Sequence, residues 1–279
     1  MALISVAELA GRLADPDLRV ADVRWYLNRP GQGRQAYEAG HIPGAIFLDL
    51  DEDLSGEEGA GRHPLPYPLD FRRTLEVKGI GSEHLVVAYD DTGGTTAARL
   101  WWMLDNLGHE RVAVLDGGLR AWTEAGHPLS REVPAYPKAR LQLGDRWSRV
   151  IERDELTGRL GTVTLLDARA AERYRGEVEP IDPAAGHIPT AVNAPTAGNL
   201  ADDGRFLGAE ELRDRYARLA TGDGPVVTSC GSGTTACHNA LAMRLAGLPE
   251  TILYVGSFSD WSRSGMPVAT GAEPGEPPR

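Results

Sequence analysis

The stretch Ser232–Gly247, SGTTACHNALAMRLAG, has a counterpart 139 residues earlier, where Gly93–Gly108 reads GGTTAARLWWMLDNLG. In each copy an apolar run bounded by turn residues comes first, at Leu85–Tyr89 and Pro225–Thr228. Helical periodicity follows over Thr95–Leu107 and Thr234–Ala246. Further strands are expected at Val112–Leu115 and Thr251–Tyr254, each followed by a glycine and another helix. Short buried strands alternating with helices predict an α/β fold, a mainly parallel sheet covered on both faces.

The duplication extends beyond that stretch. Val20-Ala21-Asp22-Val23-Arg24 is echoed by Leu165-Leu166-Asp167-Ala168-Arg169, AGHIPGA at 39–45 by AGHIPTA at 185–191, and LDGGLRAW at 115–122 by YVGSFSDW at 254–261. The unit repeated is as long as a small domain, so the pattern is a tandem duplicated fold and not a solenoid. The expected organisation is a first domain over 1–130, a Pro-containing linker over 131–147 and a second domain over 148–270. A Pro/Gly/Glu-rich tail over 271–279 is expected to be disordered. Residues identical in both copies, Arg24 with Arg169, His41 with His187 and Trp122 with Trp261, are read as serving the fold.

A chain of 279 residues with 42% hydrophobic content can bury two such cores. Its 29 basic and 40 acidic residues leave a formal charge of −11, which repels phosphate backbones and anionic membrane surfaces unless a local patch overrides it. Neither nucleic acid nor membrane is expected as a partner. The N-terminus lacks a basic region, and Glu8 interrupts its apolar stretch, so a cytoplasmic protein is expected. Both cysteines fall within Ser229–Cys237, SCGSGTTAC, with no distant thiol to pair with, which suits a reducing compartment. Nothing supplies the spaced ligands of a zinc site, so neither metal nor cofactor is expected.

The chemistry concentrates in that nonapeptide. A loop between the end of a parallel strand and the start of a helix lies where α/β sheets bind ligands. Gly231 and Gly233 let successive N–H groups point inward as a nest for negative charge, and the helix adds its positive end. That setting favours the thiolate of Cys230, the reactive species. Pairing the copies through GTTA sets Cys230 opposite Asp91, so only the second copy carries a nucleophile. Cys237 falls on the inner stripe of the helix with Leu241 and reads as a small core residue.

With these motifs in view, the chain resembles the two-domain rhodanese-type sulfurtransferases, the group of thiosulfate and 3-mercaptopyruvate sulfurtransferases, from Val6 to about Val268. The loop CGSGTTA resembles the mercaptopyruvate branch, because Gly231 and Ser232 stand where the thiosulfate branch places basic residues. The resemblance implies transfer of a sulfane sulfur from a small-molecule donor through a Cys230 persulfide. The acceptor would be cyanide, a thiol or a thioredoxin-like protein. It implies Ser232 and Asp51 as catalytic partners of Cys230, with substrate binding by Arg173, His63, Gly231, Gly233, Thr234 and Thr235. Without the resemblance, Asp51 in an acidic run and His63 in a Gly/Pro-rich loop would read as solvated. A second arginine of the mercaptopyruvate branch, just before the GHIP segment, has no match in Pro180-Ile181-Asp182. Either Arg175 is the substitute or the donor differs, so the resemblance implies 3-mercaptopyruvate or thiosulfate as the donor.

Two other readings use the same thiol. A cysteine phosphatase needs an arginine at the sixth position after the cysteine, and that position is Ala236. A rhodanese-like carrier that hands its persulfide to a dedicated protein partner would need no other residues than those named.

Overall fold

The computed structural model describes residues 2–278. The chain forms two compact units. The first contains residues up to Gly56, Pro66–Ser148 and Ala201–Phe206, and the second contains Glu57–Leu65, Arg149–Leu200 and Leu207 onward. The short segment 57–65 therefore belongs to the second unit, although it lies within the first copy of the sequence repeat.

In the first unit the strands are β1 (Leu3–Ile4), β2 (Leu18–Asp22), β3 (Ala45–Phe47), β4 (Leu85–Tyr89) and β5 (Val112–Leu115), in the order β1-β5-β4-β2-β3 and parallel throughout. In the second, β6 (Val150–Ile151), β7 (Thr164–Asp167), β8 (Val192–Asn193), β9 (Val226–Ser229) and β10 (Ile252–Tyr254) repeat that order as β6-β10-β9-β7-β8. The expected helices are present over Ala97–Asn106 and Ala236–Leu245, and their residues are buried nearly all round. A helix buried on nearly every face is stable only inside a layered fold, which is where the strand–loop–helix units place these two.

The recurring residues frame each sheet. Arg24 grips Asp22 with bonds of 2.6–3.0 Å and reaches the Gly40 carbonyl at 2.8 Å. Arg169 does the same with Asp167 and with the Gly186 carbonyl at 2.7 Å. Burial opposes the charge on both arginines, but the paired carboxylates outweigh it and hold both above the ordinary guanidinium value. His41 and His187 stack on Tyr37 and Tyr174, and each lies against two backbone carbonyls. Trp122 and Trp261 sit in the cores and donate to the carbonyls of Pro128 and Pro267.

The segment 131–147, expected as a linker, lies along the first unit. Ala139 N–H donates to Glu76, Gly144 N–H to Leu107, and the Trp147 ring lies 6.0 Å from those of Phe71 and Trp102. The tail, expected without order, is tied to the second unit, with Thr190 N–H donating to the Pro274 carbonyl at 2.6 Å. Among the described residues no helix is long and apolar enough to cross a membrane.

Candidate active site

Between the end of β9 at Ser229 and the helix at Ala236, residues 230–235 turn tightly at the C-terminal edge of the second sheet. Gly233 holds φ at +77°, and a Cβ there would lie 2.5 Å from the Val255 carbonyl oxygen, so only glycine fits. This turn aims two N–H groups at one atom. The Cys230 Sγ accepts from Gly233 N–H at 3.1 Å and from Ser232 N–H at 3.4 Å, and the residue is 1% exposed. Among the described residues, the N–H groups of Gly231, Thr234 and Thr235 have no hydrogen-bond partner.

A second turn, Gly256–Ser259 after β10, props the first. Ser257 Oγ accepts the Cys230 N–H at 3.1 Å and donates to the Tyr254 carbonyl, while Phe258 and Ser259 donate to the carbonyls of Cys230 and Gly231. Ser257 adopts a left-handed φ of +50°, where its first-copy counterpart is Gly118 at +58°. A serine there costs of order 1 kcal/mol of backbone strain, which its bridging hydroxyl helps to offset.

The segment 57–65 supplies the other wall. His63, 6% exposed, places Nδ1 2.7 Å from Ser232 Oγ and 3.4 Å from Thr234 Oγ1. Its burial corrects the solvated reading that its Gly/Pro-rich context suggests. The backbone of the preceding residue, Arg62, donates to Ser259 Oγ at 3.0 Å.

Arg173, on the short helix Ala171–Tyr174, binds Glu179 at 2.7 Å and Asp182 at 3.4 Å through Nη2. Its Nη1 lies over the loop, 3.6 Å from where a Gly231 Cβ would be. Burial pushes the Glu179 carboxyl up, but the Arg173 bond and the N–H groups of Asp182 and Ile181 hold it below its usual value. Arg175, the expected substitute for the unmatched arginine, is instead paired with Glu177 at 2.7 Å.

The second unit thus brings together Cys230, Ser232, His63, Arg173 and the backbone of Gly231, Gly233, Thr234 and Thr235. Asp51 belongs to the first unit, where it is exposed and accepts the Trp25 indole N–H at 2.8 Å. Cys237 is fully buried, with its Sγ 3.4 Å from the Gly233 carbonyl oxygen.

One pairing read from sequence is corrected by the sheets. Asp22 is in register with Tyr89 and Asp167 with Ser229, so the residue opposite Cys230 is Asp90, not Asp91. The carbonyls agree, since Asp90 accepts from Leu119 N–H as Cys230 accepts from Phe258 N–H. The first loop is one residue longer before GTTA, and an ungapped alignment through GTTA conceals that residue.

Sequence reasoning did not single out Arg62, Glu179, Ser257 or Ser259. Arg62 is adjacent to a chosen histidine, and the acid it binds, Asp182, was the available signal that a cation faces that segment.

Comparison with known proteins agrees with this architecture. The model of the rhodanese-like domain matches residues 5–125 and again 152–264. A Pseudomonas aeruginosa protein named "Probable 3-mercaptopyruvate sulfurtransferase" is 47% identical, over 96% of this chain and 98% of that protein. Mouse thiosulfate sulfurtransferase is 37% identical, over 95% and 93% of the two chains. The crystal structure of SseA from Escherichia coli, described among 3-mercaptopyruvate sulfotransferases, superposes with a TM-score of 0.81 at 31% identity, covering 92% of this chain and 98% of that one.

Proposed function

The chain belongs to the rhodanese-like domain family and carries two copies of the domain. From that premise we propose that it is a sulfurtransferase, moving sulfur from 3-mercaptopyruvate through a Cys230 persulfide to cyanide, a small thiol or a thioredoxin-like protein. The observation that carries this reading is the Cys230 sulfur, buried at a loop of inward N–H groups with the Arg173 guanidinium over it.

The Cys230 thiolate attacks the sulfur of the donor thiol. The new S–S bond forms as the donor C–S bond breaks, and its electron pair passes to carbon, giving the enolate of pyruvate. The donor thiol proton moves to that carbon, so pyruvate leaves and an anionic persulfide remains. No outside oxidant is needed, because the cysteine sulfur is oxidised as the carbon is reduced. In this reading Ser232 relays the proton, a role supported by its hydrogen bond to His63. The N–H groups of Gly231, Thr234 and Thr235 provide donors for the terminal sulfur, which gains charge in this step. Asp51 enters this reading through the family resemblance alone, as a further member of the relay. Cyanide or a thiolate then attacks the outer sulfur and releases the Cys230 thiolate. Two free thiols and no disulfide suit a reducing compartment such as the cytoplasm.

Donor choice is tested by thiocyanate formation from cyanide with each donor in turn. 3-Mercaptopyruvate is expected to give the higher kcat/KM, by about tenfold or more, since its carboxylate gains a charge-assisted partner in Arg173. A preference for thiosulfate would overturn the donor assignment.

A further inference from the structure

The segment 180–182 lacks the second arginine of the mercaptopyruvate branch, yet the loop does not face a single guanidinium. A Cβ at Gly231 would lie 2.9 Å from Arg62 Nη2 as well as 3.6 Å from Arg173 Nη1. Two cationic nitrogens from different segments therefore converge beside the residue that follows the nucleophile. Glycine at 231 is what leaves them room.

The two arginines are held from behind by one acid. Arg62 donates through Nη1 to Asp182 Oδ1, and Arg173 donates through Nη2 to Asp182 Oδ2. Each guanidinium thus spends one terminal nitrogen on Asp182, whose side chain has no exposure, and presents the other to the loop. Among the described residues neither Arg62 Nη2 nor Arg173 Nη1 meets a carboxylate, and both Nε atoms are buried without a partner. Arg263 also binds Asp182, at 3.3 Å, and Arg169, itself paired with Asp167, lies 3.5 Å from Glu179, so four guanidiniums face the three carboxylates Asp167, Glu179 and Asp182. The cluster has one positive charge in excess, a local reversal of the chain's net charge of −11.

We propose that Arg62 is the second carboxylate-binding residue of this enzyme, forming with Arg173 a two-pronged clamp for the α-keto acid end of the donor, oriented by Asp182. This rests on the sulfur-transfer reading and assigns its substrate contact. The second cation comes from residue 62, and the acid at 182 holds it in place. Two planar forks set on either side of a carboxylate fix both its position and its rotation, which a lone arginine cannot do.

The test compares two donors with cyanide as acceptor: 3-mercaptopyruvate, and mercaptoacetone, the same α-keto thiol with a methyl group in place of the carboxylate. Arg62→Gln is expected to raise KM for 3-mercaptopyruvate by about 10- to 100-fold, the loss of a charged hydrogen bond, with little change in kcat. Turnover of mercaptoacetone is expected to stay as in the wild type. Because Arg62→Gln removes one of the three guanidiniums that neutralise the buried Asp182 carboxylate, Arg62→Gln/Asp182→Asn is measured beside it and is expected to show the same donor-selective rise. Arg62→Lys, which restores charge without the fork, is expected to recover part of the affinity. A wild-type KM for 3-mercaptopyruvate in both glutamine variants would overturn the clamp while leaving sulfur transfer intact, and so would equal losses with the two donors. If the wild-type protein took no sulfur from 3-mercaptopyruvate, the functional reading and the clamp would fall together.

Discussion

The two copies of one loop differ in what fills it. In the first unit the buried Asp90 carboxylate turns back on its own chain. It accepts from the N–H groups of Thr92 and Gly94 through Oδ1 and from those of Thr96 and Ala97 through Oδ2, at 2.8–2.9 Å. In the second, Cys230 stands in the same register with a single sulfur, which accepts two longer bonds and leaves donors over. A loop saturated by its own carboxylate is a clasp that holds strand to helix, whereas the same loop closed on a thiol keeps its capacity for a foreign anion. The neighbouring turn follows suit: Gly118 takes a left-handed conformation at no cost, and Ser257 takes it at a cost while gripping the Cys230 N–H.

Breaking the clasp should have the largest effect on stability. Asp90→Ala removes four charge-assisted bonds and is expected to destabilise the protein by about 2–4 kcal/mol, read as a lower urea midpoint. The exposed Asp91, which the GTTA pairing sets opposite Cys230, is expected to cost less than about 0.5 kcal/mol when changed to Ala. Equal effects at the two positions would contradict the register. A smaller effect separates the units by pH. Glu179, in the second unit, has its folded pKa held below the ordinary 4.5, so its stabilisation is present above that value and is lost as pH falls through the folded one. The advantage of wild type over Glu179→Gln, about 1–2 kcal/mol near neutral pH, is therefore expected to vanish in acid unfolding below pH 4.5. An advantage that persisted under acid would show that Glu179 contributes by packing and not by charge.

The fold was legible because its signals are local and repeated. Apolar runs such as Leu85–Tyr89 and Val112–Leu115 became strands with the expected bounds, and duplication supplied a second reading of each. Cys230 was legible for the same reason: strand, glycine loop and helix all point to it. The residues that surround it come from segments whose pairing no period encodes. Arg62 meets Asp182 and Ser259 across 120 and 197 positions in the chain, and each looks like an ordinary surface residue in its own context. The one-residue slip between Asp90 and Asp91 has a similar cause, since register in a sheet is set by hydrogen bonds to a neighbouring strand and not by resemblance along the chain.

Sulfur transfer by this route requires a single sulfur to be loaded at the loop whose donors are left over. Intact-protein and peptide mass spectrometry after brief exposure to 3-mercaptopyruvate reads this directly. The expected result is a gain of roughly 32 Da, one persulfide sulfur, on Cys230 alone, discharged by cyanide with release of thiocyanate. The adduct is expected to be absent from Cys230→Ser and undiminished in Cys237→Ser. No adduct in the wild type, or an adduct carried by Cys237, would contradict it.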